Sequence, residues 1–305
     1  MNKIVVEEID LDIFQLGHKN IGLNILRLDL PDAISGGNKS FKLKYNLQTA
    51  TEKGKSTLVT FGGAFSNHIA ATARTCKLRN LKAVGIIRGE IVLPLNNTLN
   101  RAVNDGMLLI PVSRQWYKQI HDSKFYKSDV VKNLLLANDI NPDDCYIVPE
   151  GGNNTEGDKG CAEILNNVIT EYDTVICAVG TGTTLAGIAA SVPENTSVHG
   201  IAVVNAAASL TENIQLHLAN TNTNSNSNSN YIIHHQYTFE GFGKSNAALK
   251  AFCELFTQKT NILIEPVYTG KLFYAIFDMI AKDQFYPETK ILAIHTGGCQ
   301  YLIDK

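Results

Sequence analysis

Long apolar runs are absent from this sequence. No uninterrupted stretch approaches the roughly 18 residues that would suggest a membrane span. The N-terminus, Met1-Asn2-Lys3-Ile4-Val5-Val6-Glu7-Glu8, runs into acidic residues and lacks the apolar core of a secretory signal. A basic excess is absent too: 27 Lys and Arg stand against 29 Asp and Glu, a formal net charge of -2. A nucleic-acid or anionic-membrane partner would favour a basic face, so neither is expected. The six cysteines, Cys76, Cys145, Cys161, Cys177, Cys253 and Cys299, are scattered and never form C-x-x-C. They read as reduced, mostly buried thiols of a cytoplasmic protein, and not as a disulfide framework or a zinc site. The eight histidines form no H-E-x-x-H or similar pattern. No metal is expected, and His234-His235 reads as a strand-edge pair. No repeat appears at solenoid periods.

What is present is the material of a large globular protein. The 305 residues are 44% hydrophobic and 18% charged, enough for about two domains. Short apolar runs alternate with longer helical patterns, which predicts an α/β architecture of strand–helix units on parallel sheets. Strands are expected near 57–61, 83–87, 107–112, 146–149, 174–179, 198–204 and 290–294, and helices near 67–74 and 99–103. The run N-T-N-T-N-S-N-S-N-S-N at 220–230 has nothing apolar to bury. It reads as a flexible surface insertion.

Three segments carry chemistry. The strand at 174–179 runs into Gly180-Thr181-Gly182-Thr183-Thr184. Glycines let the backbone approach an anion, N–H groups at a helix start point toward it, and three threonine hydroxyls add donors. The pattern is neither G-x-x-x-x-G-K-[ST] nor G-x-G-x-x-G. By itself it also fits an ordinary tight strand-to-helix turn. Ser35-Gly36-Gly37-Asn38-Lys39 puts a lysine at a helix start, with Leu43 and Leu47 as an i, i+4 apolar pair. A lysine desolvated there beside Lys42 becomes a usable nucleophile; a lysine on a solvated helix face is the alternative. In Gly62-Gly63-Ala64-Phe65-Ser66-Asn67-His68 a strand breaks at two glycines. Ser66, Asn67 and His68 then fall at a helix N-terminus, suited to a carboxylate or to plain N-capping. No G-x-S-x-G elbow surrounds Ser66.

Taken in order, GGNKSFKLKYNL, TFGGAFSNH, VPEGG, AVGTGTTLAG, EPVYTGK and HTGG resemble the fold-type II pyridoxal-phosphate enzymes. More narrowly, the chain resembles the 1-aminocyclopropane-1-carboxylate deaminase / D-cysteine desulfhydrase family from about Ile34 to the C-terminus. The resemblance implies a tryptophan synthase beta-like fold, with two open twisted parallel-sheet domains and the cofactor in the cleft between them. It implies a discontinuous large domain, 1–52 plus 145–305, and a small domain at 53–144. It makes Lys39 the Schiff-base lysine and the base at the substrate α-carbon. Thr181, Gly182, Thr183 and Thr184 would hold the cofactor phosphate with Lys42 as helper, and Asn67 would bond the phenolic oxygen. Ser66, Asn67 and His68 would receive the carboxylate of a small amino acid, Ser66 also being placed for proton or nucleophile work. Tyr268 matches an active-site tyrosine, and Thr269 falls at the position facing the pyridine nitrogen. A homodimer is a further family expectation.

Three departures narrow the chemistry. Deaminases that open the cyclopropane ring have glutamate at the place of Thr269 and a second tyrosine at that of Phe242. Glutamate keeps the pyridine nitrogen protonated and the ring a strong electron sink, which a threonine hydroxyl cannot do. Leu26-Arg27-Leu28-Asp29 replaces the family's K-R-E-D run and is expected to loosen the wall near the cofactor. The expected reaction is therefore α,β-elimination of D-cysteine or a related β-substituted amino acid, giving pyruvate, ammonia and sulfide. Its rivals are ring opening to 2-oxobutanoate and ammonia, and a catalytically weak cofactor-binding or regulatory protein.

Overall fold

The computed structural model describes residues 5–30, 36–120, 124–168, 170–205, 207–221 and 231–299. Strands β1 (Val5–Ile9) and β2 (Gly22–Arg27) precede helix α1 (Asn38–Glu52). There follow β3 (Thr57–Gly63), α2 (Asn67–Leu78), β4 (Lys82–Arg88), α3 (Asn97–Asn104), β5 (Met107–Val112), α4 (Arg114–Tyr117), α5 (Asp129–Leu136), β6 (Cys145–Val148) and α6 (Thr155–Cys161). The remainder is β7 (Thr174–Val179), α7 (Thr183–Ser191), β8 (Ser197–Ala202), α8 (Ala207–Thr221), β9 (Tyr231–His234), α9 (Ala247–Thr260), α10 (Thr269–Ala281) and β10 (Lys290–His295). The chain forms two compact units, Met1–Asn38 with Asp158–Lys305, and Lys39–Gly157. These boundaries differ from 52/53 and 144/145 for two reasons. Leu43 and Ala50 of α1 pack into the core of the second unit, and β6 pairs with β3.

The second unit is built on a parallel sheet in the order β5-β4-β3-β6. Side chains alternate across a strand, so an unbroken apolar run buries both faces. Leu58, Ala83 and Ile87 join Ile69 and Leu99 in one core. Val59, Phe61, Val84 and Ile86 join Val131 and Leu135 in the other.

The first unit has the order β1-β2-β10-β7-β8-β9. It is parallel except for β1, which runs antiparallel to β2. His234 lies on the edge strand β9, as expected. All but three of the 13 residues of α10 are buried, the mark of a helix that is apolar nearly all round. Phe256 and Phe273 stack there with centroids 4.8 Å apart. From β7 the chain advances through β8 to β9 and then returns to β10 on the other side of β7. In open α/β sheets, ligands bind outside the carboxyl ends of the strands where the order reverses in this way.

Two expectations are corrected locally. The polar run does not leave the helix at Asn220: α8 continues through Thr221, and Asn220 Nδ2 donates to Asp158 Oδ2 at 3.1 Å. A tertiary partner thus holds residues that composition alone makes flexible, while 222–230 lie outside the described residues. The LRLD run is also not loose. Arg27 is buried and bonds Glu7 at 2.6 Å and Asp29 at 2.8 and 2.9 Å, and Asp29 meets His295 at 3.2 Å. All six thiols are buried and free. No helix among the described residues is long and apolar enough to cross a membrane.

Candidate active site

In the first unit the buried strand β7 delivers Gly180-Thr181-Gly182 to the start of α7. Helices α2, α3 and α9 are closed by the side chains of Ser66, Asn96 and Asn246. Helix α7 begins at Gly182, which has no side chain to do this. Glycine is needed there. Its φ is +96°, and a Cβ would stand 2.7 Å from Ile214 Cγ1 on α8. Thr183 and Thr184 are buried beside it. Asn38 Nδ2 donates to Thr184 Oγ1 at 2.9 Å, which leaves the Thr184 hydroxyl proton free to donate in turn. Thr181 and Thr183 hydroxyls lie 3.1 Å apart. An uncapped helix start with several hydroxyl donors fits a phosphate. Tightness of the surrounding turn explains two further motifs. Gly37 has φ +69°, its N–H bonds Leu28 O at 2.7 Å, and a Cβ on it would lie 2.1 Å from Thr296 O. The glycines of GGNK and HTGG therefore pack on each other, and this packing fixes the residue that precedes Lys39.

At the head of α10, Tyr268 covers Gly180, where an added Cβ would stand 3.3 Å from Tyr268 Cε1. The ring of Phe242 meets Tyr268 edge-on at 5.7 Å, so the missing second phenol is replaced by an apolar ring. Thr269 is fully buried. Its hydroxyl accepts from Glu265 N at 2.9 Å and donates to Glu265 Oε1 at 3.3 Å. Glu265, which the motif comparison did not single out, accepts N–H bonds from Val267 at 2.6 Å, Tyr268 at 2.7 Å and Thr269 at 2.8 Å. Burial pushes its carboxyl up to about 7, against the pull of those donors. The one signal in the sequence was an acid four residues before an almost wholly apolar helix.

In the second unit Lys39 is the second residue of α1 and is half-buried. Lys42, one turn on, is buried, unlike a lysine on a solvated face. A Cβ on Gly152, in the VPEGG turn, would stand 3.1 Å from Lys42 Cβ and 3.5 Å from His68 Cε1. Ser66 Oγ caps α2 by accepting from Ile69 N at 3.4 Å, so its own proton is free to donate. Asn67 is the first residue of α2. His68 is buried, with Nε2 at 2.9 Å from Thr60 Oγ1, and Thr60 Oγ1 donates to Val148 O at 2.9 Å. Since the Thr60 proton goes to that carbonyl, His68 must donate from Nε2–H, and Nδ1 keeps a lone pair with no partner. Burial, then the charges of Lys39 and Lys42, hold its pKa well below the usual value. The ring is neutral and offers an acceptor, so its geometry does not favour the expected role with a carboxylate.

A phosphate cradle and a half-buried lysine at a helix start, on α/β units of this kind, define an enzyme whose chemistry resides in a phosphorylated cofactor. The chain belongs to the pyridoxal-phosphate dependent enzyme family, whose pattern it matches over residues 18–297. Its cofactor is pyridoxal 5'-phosphate. A putative 1-aminocyclopropane-1-carboxylate deaminase of Pyrococcus abyssi is 31% identical over 291 residues, 91% of this chain and 84% of that one. A D-cysteine desulfhydrase of Serratia proteamaculans is 28% identical over 291 residues, 91% of this chain and 87% of that one. The crystal structure of an ACC deaminase homologue shares the fold, with a TM-score of 0.77 and 24% identity over 97% of this chain and 89% of that one.

Proposed function

We propose that the protein is a lyase acting on a small amino acid by α,β-elimination, with D-cysteine or a related β-substituted amino acid as substrate. The observation that carries this is the head of α10. Where a strong acid would hold a proton on the pyridine nitrogen, Thr269 has a hydroxyl already bonded to Glu265. The Glu265 carboxylate is itself taken up by three backbone N–H groups. The bound cofactor supplies an electron sink for the α-carbon, here of the weaker kind, which suffices when a β-group departs with its electron pair.

In this reading Lys39 carries the cofactor and its Nζ takes the α-proton. Thr181, Gly182, Thr183 and Thr184 hold the phosphate, Lys42 helps, and Asn67 bonds the phenolic oxygen. Ser66 donates its free proton to the substrate carboxylate beside the N–H groups of α2. His68 Nδ1 accepts from an N–H donor. Tyr268 supplies a proton to the departing sulfur as the Cβ–S bond breaks, and the released enamine hydrolyses to pyruvate and ammonia. The reading extends to a cytoplasmic homodimer, supported by the family resemblance.

Ring opening of 1-aminocyclopropane-1-carboxylate is the second reading, favoured by the name of the archaeal relative. Purified protein assayed on both compounds separates them. Sulfide and pyruvate from D-cysteine at the higher kcat/KM are expected; 2-oxobutanoate at the higher kcat/KM overturns the proposal. A visible cofactor band with turnover of neither compound points to the weakly catalytic binding protein.

A further inference from the structure

Lys271 belongs to the same YTGK motif as Tyr268 and Thr269, yet nothing above uses it. It is fully buried on α10. Its Nζ donates to Thr238 O at 2.7 Å, Gly241 O at 2.7 Å and Val203 O at 3.5 Å. An ammonium has three protons to give, and here three main-chain carbonyls take them; among the described residues no carboxylate forms an ion pair with it. Burial pushes its pKa down to about 8.

The segment it grips is bent in an unusual way. Phe239, Glu240 and Gly241 have φ of +49°, +68° and +116° in succession, and Gly243 has +71°. Left-handed backbone at non-glycine residues persists only where the surroundings over-determine it. Lys271 does so by holding the carbonyls on both sides of Phe239 and Glu240. The next residue is Phe242, the ring set edge-on against Tyr268.

We propose that Lys271 is a positioning residue for substrate selection: its ammonium fills a cage of carbonyls like a bound cation and fixes the 238–243 loop so that Phe242 closes on Tyr268. The Phe242–Tyr268 pair then forms an apolar wall that limits the size of the substrate's β-substituent. This rests on the reading of Tyr268 as a substrate-facing residue.

The test is hydrogen exchange on the holoenzyme and its Lys271→Met variant, which keeps the aliphatic stem and loses the cation. Amides of 239–243 are expected to exchange about tenfold faster in the variant. Spectral titration of the cofactor with D-cysteine and with its larger S-alkyl analogues reads the wall. The preference for the smaller ligand is expected to shrink roughly fivefold or more, and to shrink no further when Phe242→Ala is added. Unchanged exchange overturns the positioning role. Faster exchange with an unchanged preference overturns the wall and leaves a structural lysine. Both readouts work without turnover, so failure of the elimination reading is seen separately, as absence of sulfide from the wild type. Should Lys271→Met not fold, Lys271→Ala made with propylammonium replaces it. Protection restored by propylammonium and not by 1-propanol supports the charge; equal effects of the two overturn it.

Discussion

Glu265 makes the protein's stability depend on pH in a direction that can be worked out in advance. It is buried at the head of α10 with three N–H donors on its carboxylate. Burial wins over those donors and lifts its pKa from 4.5 to about 7. A folded-state value above the unfolded one means that protonation favours the fold. The contribution is complete below pH 4.5 and is lost as the pH rises through about 7. At about 1.4 kcal/mol per pH unit, the lift amounts to ~3 kcal/mol. Among its charged and titratable neighbours, Lys271 is pushed down only to about 8, and burial raises the thiols of Cys253 and Cys299. Those three groups therefore keep their charge states through most of the window. A Glu265→Gln variant has no such titration. Urea unfolding of wild type and variant, followed by circular dichroism at several pH values between 5 and 8, gives the difference directly. The wild type should lose ~3 kcal/mol relative to the variant across that range. A flat difference refutes the argument. A difference of opposite sign means that the three N–H groups outweigh burial and keep the carboxylate ionised throughout.

Gly182→Ala puts a Cβ 2.7 Å from Ile214 at a φ of +96°, so α7 or α8 has to shift. Strain of about 1–3 kcal/mol at the cradle should weaken cofactor binding roughly tenfold to a hundredfold, measured by titrating the apoenzyme with pyridoxal phosphate; unchanged affinity separates the cradle from the phosphate. Thr60→Val leaves His68 Nε2 and Val148 O without their shared partner. A loss of about 1–3 kcal/mol per unsatisfied buried group should appear as a lower melting temperature, and an unchanged one contradicts the assigned tautomer.

Much of the fold was legible because its strands are continuous apolar runs. The stretches Thr57–Gly63 and Thr174–Val179 are buried almost throughout, and a run of that kind, ended by glycine, has few alternatives to a central parallel strand. The β1–β2 pair was not legible. Val5 to Glu8 are half-buried or exposed, so no strong pattern marks an edge strand. The unit boundaries were hidden as well, because α1 follows from where Leu43 and Ala50 find their neighbours. At the site, small polar residues after glycines announced themselves. Glu265 and Lys271 did not, since their partners are main-chain N–H and C=O groups, which leave no trace in a pattern of side chains.

Helix starts make the same point about function. Three of them, at Ser66, Gly182 and Glu265, look alike in sequence as places where an anion could sit, and each has been treated differently. At α10 the chain's own carboxylate occupies the N–H groups, so no external anion can compete for that end. At α2 the cap is a hydroxyl, which satisfies one N–H and still has a proton to give, a balance that suits the single charge of a carboxylate. At α7 the chain supplies no capping side chain at all and surrounds the gap with threonines. A doubly charged phosphate needs the most donors and gains the most from the helix dipole. Of the three, only the start of α7 leaves its donors to the ligand, and the amount of capping the chain withholds matches the charge each end has to hold.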